Sequence, residues 1–517
     1  MSEFCRNKGT VGTQLVAVTS LDTPDFDSII LVASPNQQIS SPILSKTISA
    51  AIELDPSLKT EIAILAITLP AKRLVYSPTG ELDPDYDDVR VFKNAAGAAI
   101  KRALKAQSKS PLLIIEKDSN FKLSQLVTLL GALESLYTPI QVREHDPSKT
   151  YKVDRLGVWT EDFNETVKLI ELAKILETGR RVACDIGDAD PERMSPPRVE
   201  EYIKDLFKNS SIKLNVISDI QQLTKEYPLF EAVNRAASCQ ERHQGRIIFL
   251  EYQPPESAKE TLFLVGKGVT YDTGGCDVKI GGNMLGMSRD KCGAAAVIGF
   301  LQIVNLLQPK NIRVVAGVGL VRNSIGSNSY VADEVITARS GERVRIINTD
   351  AEGRMIMADI LCKFKEEALT SSNPHLFTIA TLTGHAYLTV GLGYSIVVDN
   401  GPAYKVGHCR RLQEASEEIG DPFEISTLRK VDISSHRGVA EGDTVIQGQP
   451  KPSSQSQRGH QGPVGFLLLA SGLINHGSGS ATPIKYSHFD IAASAGNLPS
   501  PATGSPVLAL AKAYILS

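Results

Sequence analysis

The sequence predicts an α/β protein, with a small N-terminal α/β domain over residues 1–175 and a larger C-terminal α/β domain over 176–517, the latter built on a central mixed sheet flanked by helices. Three observations carry this prediction. At 517 residues the chain holds two or three folded units of ~100–200 residues each. Short β-branched apolar runs recur along it, and segments with apolar residues at three-and-four spacing, the period of a helix packed by one face, separate most of them. Strands spaced by helices imply a largely parallel or mixed sheet, with ligands expected at strand carboxyl ends.

In the N-terminal domain the first strand is the run 29–33, which follows the turn-rich stretch 22–27. Runs 62–69 and 112–115 are further buried strands, and 95–104 and 123–137 have helical spacing. The polar stretch 143–151 leads into a helix over 165–177, whose apolar Val167, Ile170, Leu172 and Leu176 mark the domain boundary near 175. Beyond it, strands are expected at 213–217, 247–252, 262–265, 314–320 and 377–382, with helices at 199–207, 294–307 and 355–368. Residues 432–463, rich in Gly, Ser, Gln and Pro, break the rhythm and read as a functional flap or a mobile insert.

Composition excludes several function classes. Fifty-five Lys and Arg against 58 Asp and Glu leave a net charge of −3, with no basic excess to drive counterion release, so nucleic acid is not an expected partner. The longest nearly apolar run, 464–474, is too short to span a bilayer, so no membrane partner is expected. The start MSEFCRNKGTVGTQ has neither a basic and apolar leader nor an Arg-rich amphipathic pattern, which points to a cytoplasmic protein. Seven scattered cysteines, with no C-x-x-C pair, read as reduced thiols.

Nucleotide signatures of the G-x-x-x-x-G-K-[ST] and G-x-G-x-x-G kinds are absent, as are H-E-x-x-H and G-x-S-x-G. What stands out instead is carboxylate and lysine chemistry in Gly-rich turns. LVGKGVTYDTGG (264–275) follows an apolar strand and places Lys267 and Asp272 where a buried strand opens, and MSRD (287–290) meets a helix of small residues. A third piece, INTDAEGR (347–354), brings Asp350 and Glu352 to one side if 349–352 is extended, and the helix behind it anchors them through Ile356, Met357, Ile360, Leu361 and Phe364. Carboxylates clustered near an interior repel one another unless cations compensate. Asp272, Asp290, Asp350 and Glu352 supply four negative charges, which two divalent metals would balance, with a bound hydroxide as nucleophile.

Together these segments resemble the leucyl aminopeptidase family of dinuclear zinc exopeptidases, whose string N-T-D-A-E-G-R stands unchanged at 348–354. The family's G-K-G-[IV]-x-[FY]-D-[ST]-G-G element matches residues 266–275, its A-T-L-T-G strand end matches 380–384, and YSHFDIA (486–492) resembles its W-x-H-[LI]-D-I-A strand. The likeness covers about 180–517 and makes that region the catalytic domain.

Carried over, the resemblance implies Lys267, Asp272, Asp290 and Glu352 as ligands of one metal, and Asp272, Asp350 and Glu352 as ligands of the other. The metals would be zinc foremost, with manganese or magnesium as alternatives, and Lys267 would bind as a neutral amine. Lys279 and Arg354 take the catalytic positions, Arg354 holding a bicarbonate. Met287 falls at the pocket for the substrate's first side chain, and Leu382 and Gly384 fall where the substrate backbone binds. His488 and Asp490 read as a structural core pair.

The implied function is a metallo-aminopeptidase that hydrolyses neutral N-terminal residues from short peptides through a two-metal-activated hydroxide, assembled as a homo-hexamer. The alternative is a weakly active or inactive paralogue kept as a structural or interaction protein, motivated by three departures. Arg322 stands where the family has an acid, His385 follows the A-T-L-T-G string, and the insert 432–463 is long. Arg322 is expected to be paired with Asp333 or Glu334, its acidic neighbours in sequence.

Overall fold

The computed structural model describes residues 9–516. The described residues divide into two compact units, one of residues 10–178 with 415–420, the other of 179–414 with 421–516 and residue 9. The chain leaves the first unit within the helix Phe163–Asp188.

The first unit holds a six-stranded sheet of β1 (Gln14–Ala17), β2 (Ser28–Ala33), β3 (Ala63–Ala66), β4 (Arg73–Pro78), β5 (Pro111–Ile115) and β6 (Arg155–Trp159), in the order β1-β6-β5-β2-β4-β3. All neighbours are parallel except β3 and β4. The strand expected at 62–69 is therefore shorter: β3 ends at Ala66, the chain turns through Lys72 at φ 60°, and β4 returns beside it. Ile29, Leu31, Leu74, Leu112 and Ile114, on alternating positions of the central strands, form the core of one face.

The second unit is built on eight strands. They are β7 (Lys213–Ile217), β8 (Arg246–Tyr252), β9 (Glu260–Asp272), β10 (Ile312–Asn323), β13 (Pro374–Ala380), β14 (Ser395–Asp399), β15 (Phe423–Thr427) and β17 (Lys485–Asp490). Their order is β15-β14-β17-β13-β9-β10-β8-β7. The centre, β17-β13-β9-β10, is parallel, while β8 on one side and β14 on the other run antiparallel, so the sheet is mixed as its sequence predicts. A small sheet of β11 (Val335–Thr337), β12 (Arg343–Arg345) and β16 (Val445–Ile446) accompanies it.

Helices cover both faces of β9. On one, the small residues of Cys292–Leu307 allow close approach: a Cβ on Gly266 would lie 2.7 Å from the Cα of Ala294, and one on Gly293 would lie 2.1 Å from the carbonyl of Ile379. On the other, Glu352–Ala368 packs Ile356, Met357, Ile360, Leu361 and Phe364, all fully buried, against the sheet beside Gly317. These two helices present their N-termini at the same end of β9 that carries Asp272.

The segment 432–463 is folded into this unit. It supplies β16 and buries Gln447 completely, and Gln447 binds the Ile347 and Asn348 amides and the Asn348 and Ala351 carbonyls. No helix among the described residues is long and apolar enough to cross a membrane. None of the six cysteines among the described residues is in a disulfide, and Cys5 lies outside them.

Candidate metal centre

Strand β9 delivers Lys267 from its interior and Asp272 from its end. The chain then turns through Gly274 at φ 88° and Gly275 at φ 65°, where a Cβ on Gly274 would meet the Asp277 carbonyl at 2.4 Å, so only glycine serves. Asp290 follows a short turn over Met287–Arg289 and precedes the helix Cys292–Leu307.

Asp350 and Glu352 are not on an extended segment. Thr349–Ala351 is a 3₁₀ turn and Glu352 is the first residue of the helix Glu352–Ala368. The Asn348 side chain accepts from the Asp350 amide at 2.8 Å, and Asp277 accepts from the Thr349 amide at 2.7 Å, so capping rather than period-two alternation directs the two carboxylates. Gly353 completes the arrangement: a Cβ there would sit 2.5 Å from Cε of Lys267.

Asp272, Asp290 and Glu352 are buried and offer carboxylate oxygens within 4.8 Å of one another. The Lys267 ammonium lies 2.7 Å from Asp290 and 2.9 Å from Glu352, and donates to the Thr381 carbonyl at 3.0 Å. Lys279 lies 2.9 Å from Asp272 and in contact with the half-buried Asp350. Burial raises the Asp290 and Glu352 carboxyls, aided by the neighbouring carboxylates, and raises Asp350 to about 7. Burial would lower both lysines, but the carboxylates outweigh it and hold their ammonium groups above the usual lysine range. With carboxylates alone around it, Lys267 is thus charged; a neutral amine there requires a cation in its place.

The donor set fits such cations. Four carboxylates face two ammonium groups, and Asp290 Oδ2 and Glu352 Oε1 are buried without a hydrogen-bond donor, Glu352 Oε1 having only the ion contact with Lys267. Orphaned carboxylate oxygens are costly unless a cation satisfies them, and hard oxygen donors with one amine suit Zn²⁺, Mn²⁺ or Mg²⁺.

All ten residues nominated from the sequence line one cavity of about 970 Å³. Met287 stands in its wall, and the Leu382 and Gly384 amides are already donated to Asp490 and Ser453. Arg354 donates to the Gln447 carbonyl at 3.0 Å with its Nε unpartnered, and burial lowers its pKa to about 10.

Other expectations change. Arg322 is paired, but with Glu192 at 3.4 Å and with His243, its guanidinium over the Tyr271 ring; Glu334 is taken by Arg235. His488 and Asp490 are both buried yet not paired with each other: His488 meets Thr378 at 2.7 Å, while Asp490 accepts from Thr383 at 2.6 Å. His385 meets His460 at 2.8 Å.

Three residues that support the cluster were not nominated from the sequence, although Thr381 lies inside the A-T-L-T-G string. Asn323 donates to Asp272 at 2.8 Å because β10 slips register against β9 between Val321 and Arg322, a bulge that sets Asn323 opposite Asp272. Thr381 donates to Asp290 at 2.8 Å, and Gln447 braces the turn that bears Asp350.

With this geometry in view, similarity to known proteins is decisive. The model of the cytosol aminopeptidase family, catalytic domain, matches residues 181–511. The chain belongs to this family. A Caenorhabditis elegans protein, whose name assigns it an aminopeptidase activity by inference, is 43% identical over 98% of both chains. A probable cytosol aminopeptidase of Chlamydia trachomatis is 28% identical over 67% of this chain and 68% of its own length. In fold the chain is similar to the bottromycin maturation enzyme BotP, solved in complex with Mn, at TM-score 0.74 and 20% identity, over 94% of this chain and 98% of that one. An aminopeptidase is a peptide-bond hydrolase, and this member of the family carries the buried carboxylate cluster at the carboxyl end of its central parallel strand.

Proposed function

We propose that the chain is a dinuclear metallo-aminopeptidase that removes neutral N-terminal residues from short peptides. The observation that carries this reading is the buried cluster of Asp272, Asp290 and Glu352 opening on the cavity. Lys267, Asp272, Asp290 and Glu352 would hold one divalent ion, and Asp272, Asp350 and Glu352 the other, zinc first and manganese or magnesium as alternatives. When bound, such ions lower the pKa of water and polarise a carbonyl.

The chain's own residues orient and discriminate. Lys279, held between Asp272 and Asp350, brings a positive charge to the rim of the cluster, where the oxygen of a scissile carbonyl gains negative charge. Arg354, with an unpartnered Nε, would hold a bicarbonate, whose chemistry is that of a general base. Since the Leu382 and Gly384 amides are occupied, a substrate's backbone N–H groups would turn to the carbonyls of this strand end, that of Leu382 first, because Gly384 opens the helix Gly384–Val390 and its carbonyl accepts within it. Met287 offers an apolar wall without charge. A homo-hexamer in the cytoplasm belongs to the same reading.

The test is hydrolysis of a leucyl chromogenic amide by the purified chain before and after chelation, and after Zn²⁺ or Mn²⁺ is returned. Activity should vanish with the chelator and return with two metal equivalents, and light scattering should give six times the 55.8 kDa chain. Hydrolysis indifferent to chelation would refute the metal assignment.

A further inference from the structure

Directly behind Asp290 the chain buries a lysine that no role described so far uses. Lys291 is 0% exposed, and its Nζ donates to the carbonyls of Ala189 at 2.8 Å, Gly187 at 3.4 Å and Ser288. Three donors meet three backbone acceptors. Gly187 belongs to the last turn of the helix Phe163–Asp188 and Ala189 follows it, so two of these carbonyls are helix-end groups without a partner inside the helix. The third, Ser288, lies in the turn that carries Asp290.

On the other side of Asp290, Arg289 reaches the same helix end, donating to Asp188 at 2.6 Å and to the Ser500 carbonyl. Asp290 is thus bracketed by two buried cations anchored at 187–189. Its own carboxylate touches only groups on the front, Lys267 at 2.7 Å and Thr381 at 2.8 Å, and its Oδ2 is unpartnered. A buried ammonium among carbonyl dipoles is expensive, and its removal would leave the Ser288 turn without its tie to the helix end.

We infer that Lys291 is a positioning residue for Asp290, its carbonyl cage fixing the turn so that the Asp290 carboxylate meets a divalent ion at the cluster. This rests on the reading of Asp290 as a metal ligand.

The test is titration of the chelator-stripped full chain with Mn²⁺, following the free-ion EPR signal. Wild type should take two equivalents. Lys291→Met, of similar volume but without donors, should bind one of them ~10–100-fold more weakly, in the range of orienting partners of metal ligands, with kcat reduced and KM unchanged. Lys291→Gln, which keeps one donor group and is the milder change should the Met variant not fold, should show a smaller loss. Val397→Ala, a core truncation on β14, controls for lost stability and should leave Mn²⁺ affinity unchanged. Unchanged Mn²⁺ binding in either folded Lys291 variant, or equal weakening in Val397→Ala, overturns the positioning role. Absence of Mn²⁺ binding in wild type would instead sink the two-metal reading itself.

Discussion

Replacing Glu352 by Gln keeps the shape of a side chain that is 1% exposed and deletes one charge. With an effective dielectric of about 20, losing the Lys267 contact at 2.9 Å costs about 6 kcal/mol, while relieving repulsion from Asp272 and Asp290, within 4.8 Å, returns about 3.5 kcal/mol each or more. Loss of the attraction to Lys279, which also favours the Glu352 charge, offsets part of that return, so the metal-free variant should be about as stable as wild type. Its metal-loaded form behaves oppositely. Glu352 would face both ions, so its loss should weaken binding by more than the ~10–100-fold typical of outer partners, leaving fewer than two metal equivalents and nearly no turnover. Chelator-treated and Mn²⁺-saturated samples of both proteins, compared by thermal unfolding and by calorimetric titration, separate the two effects. Full Mn²⁺ stoichiometry at wild-type affinity would refute the shared-ligand role. A metal-free variant much less stable than wild type would show that Glu352 serves the fold rather than an ion.

Three further outcomes are expected. Lys279→Ala and Arg354→Ala should retain both metals but lose about 10²-fold or more, mainly in kcat, if they stabilise charge that develops in the transition state; a change confined to KM in steady-state assays would contradict this. Leucyl amides should be cleaved faster than glutamyl or lysyl ones, because Arg322 is occupied by Glu192 and His243 and Met287 brings no charge; a faster glutamyl substrate would overturn that. Burial lowers His460 and His436 to about 4 and His488 to about 3, so their neutral forms are native. Depressed folded values mean that this stability is full above about 6.5 and is lost as pH falls from 6.5 through 4. His460→Gln should lose less stability than wild type over that interval in denaturant titrations of the chelated protein, and equal losses would refute the assignment.

Much of this site was legible because it is written in short strings. Lys267 and Asp272 follow a strand whose apolar run is unmistakable, and the 3.6-residue period after Glu352 identified the helix behind it. The conformation between Thr349 and Glu352 was misread, since a four-residue stretch has no period of its own and Asn348 and Asp277 decide it through side-chain hydrogen bonds. The tie of Asn323 to Asp272 was invisible because it depends on a bulge in pairing with a strand some fifty positions earlier. Gln447 lies in a stretch whose composition reads as solvent-exposed, and only distant partners bury it. β14 and β15 were likewise overlooked, and Arg322 found its acid in Glu192, over a hundred positions away, rather than in its neighbours.

The central position of β9, between β13 and β10 in a parallel array, has a kinetic consequence. Parallel neighbours close only through long crossovers, so the entropy of loop closure must be met before any of their contacts reward it. The groups gathered at the end of β9 come from positions between 267 and 352, with a brace from 447, and converge only once those crossovers are complete. An ion that recognises the assembled cluster therefore has little to grip in the folding transition state. It should leave the refolding rate nearly unchanged and act as a brake on unfolding, so that loading lengthens the lifetime of the native chain.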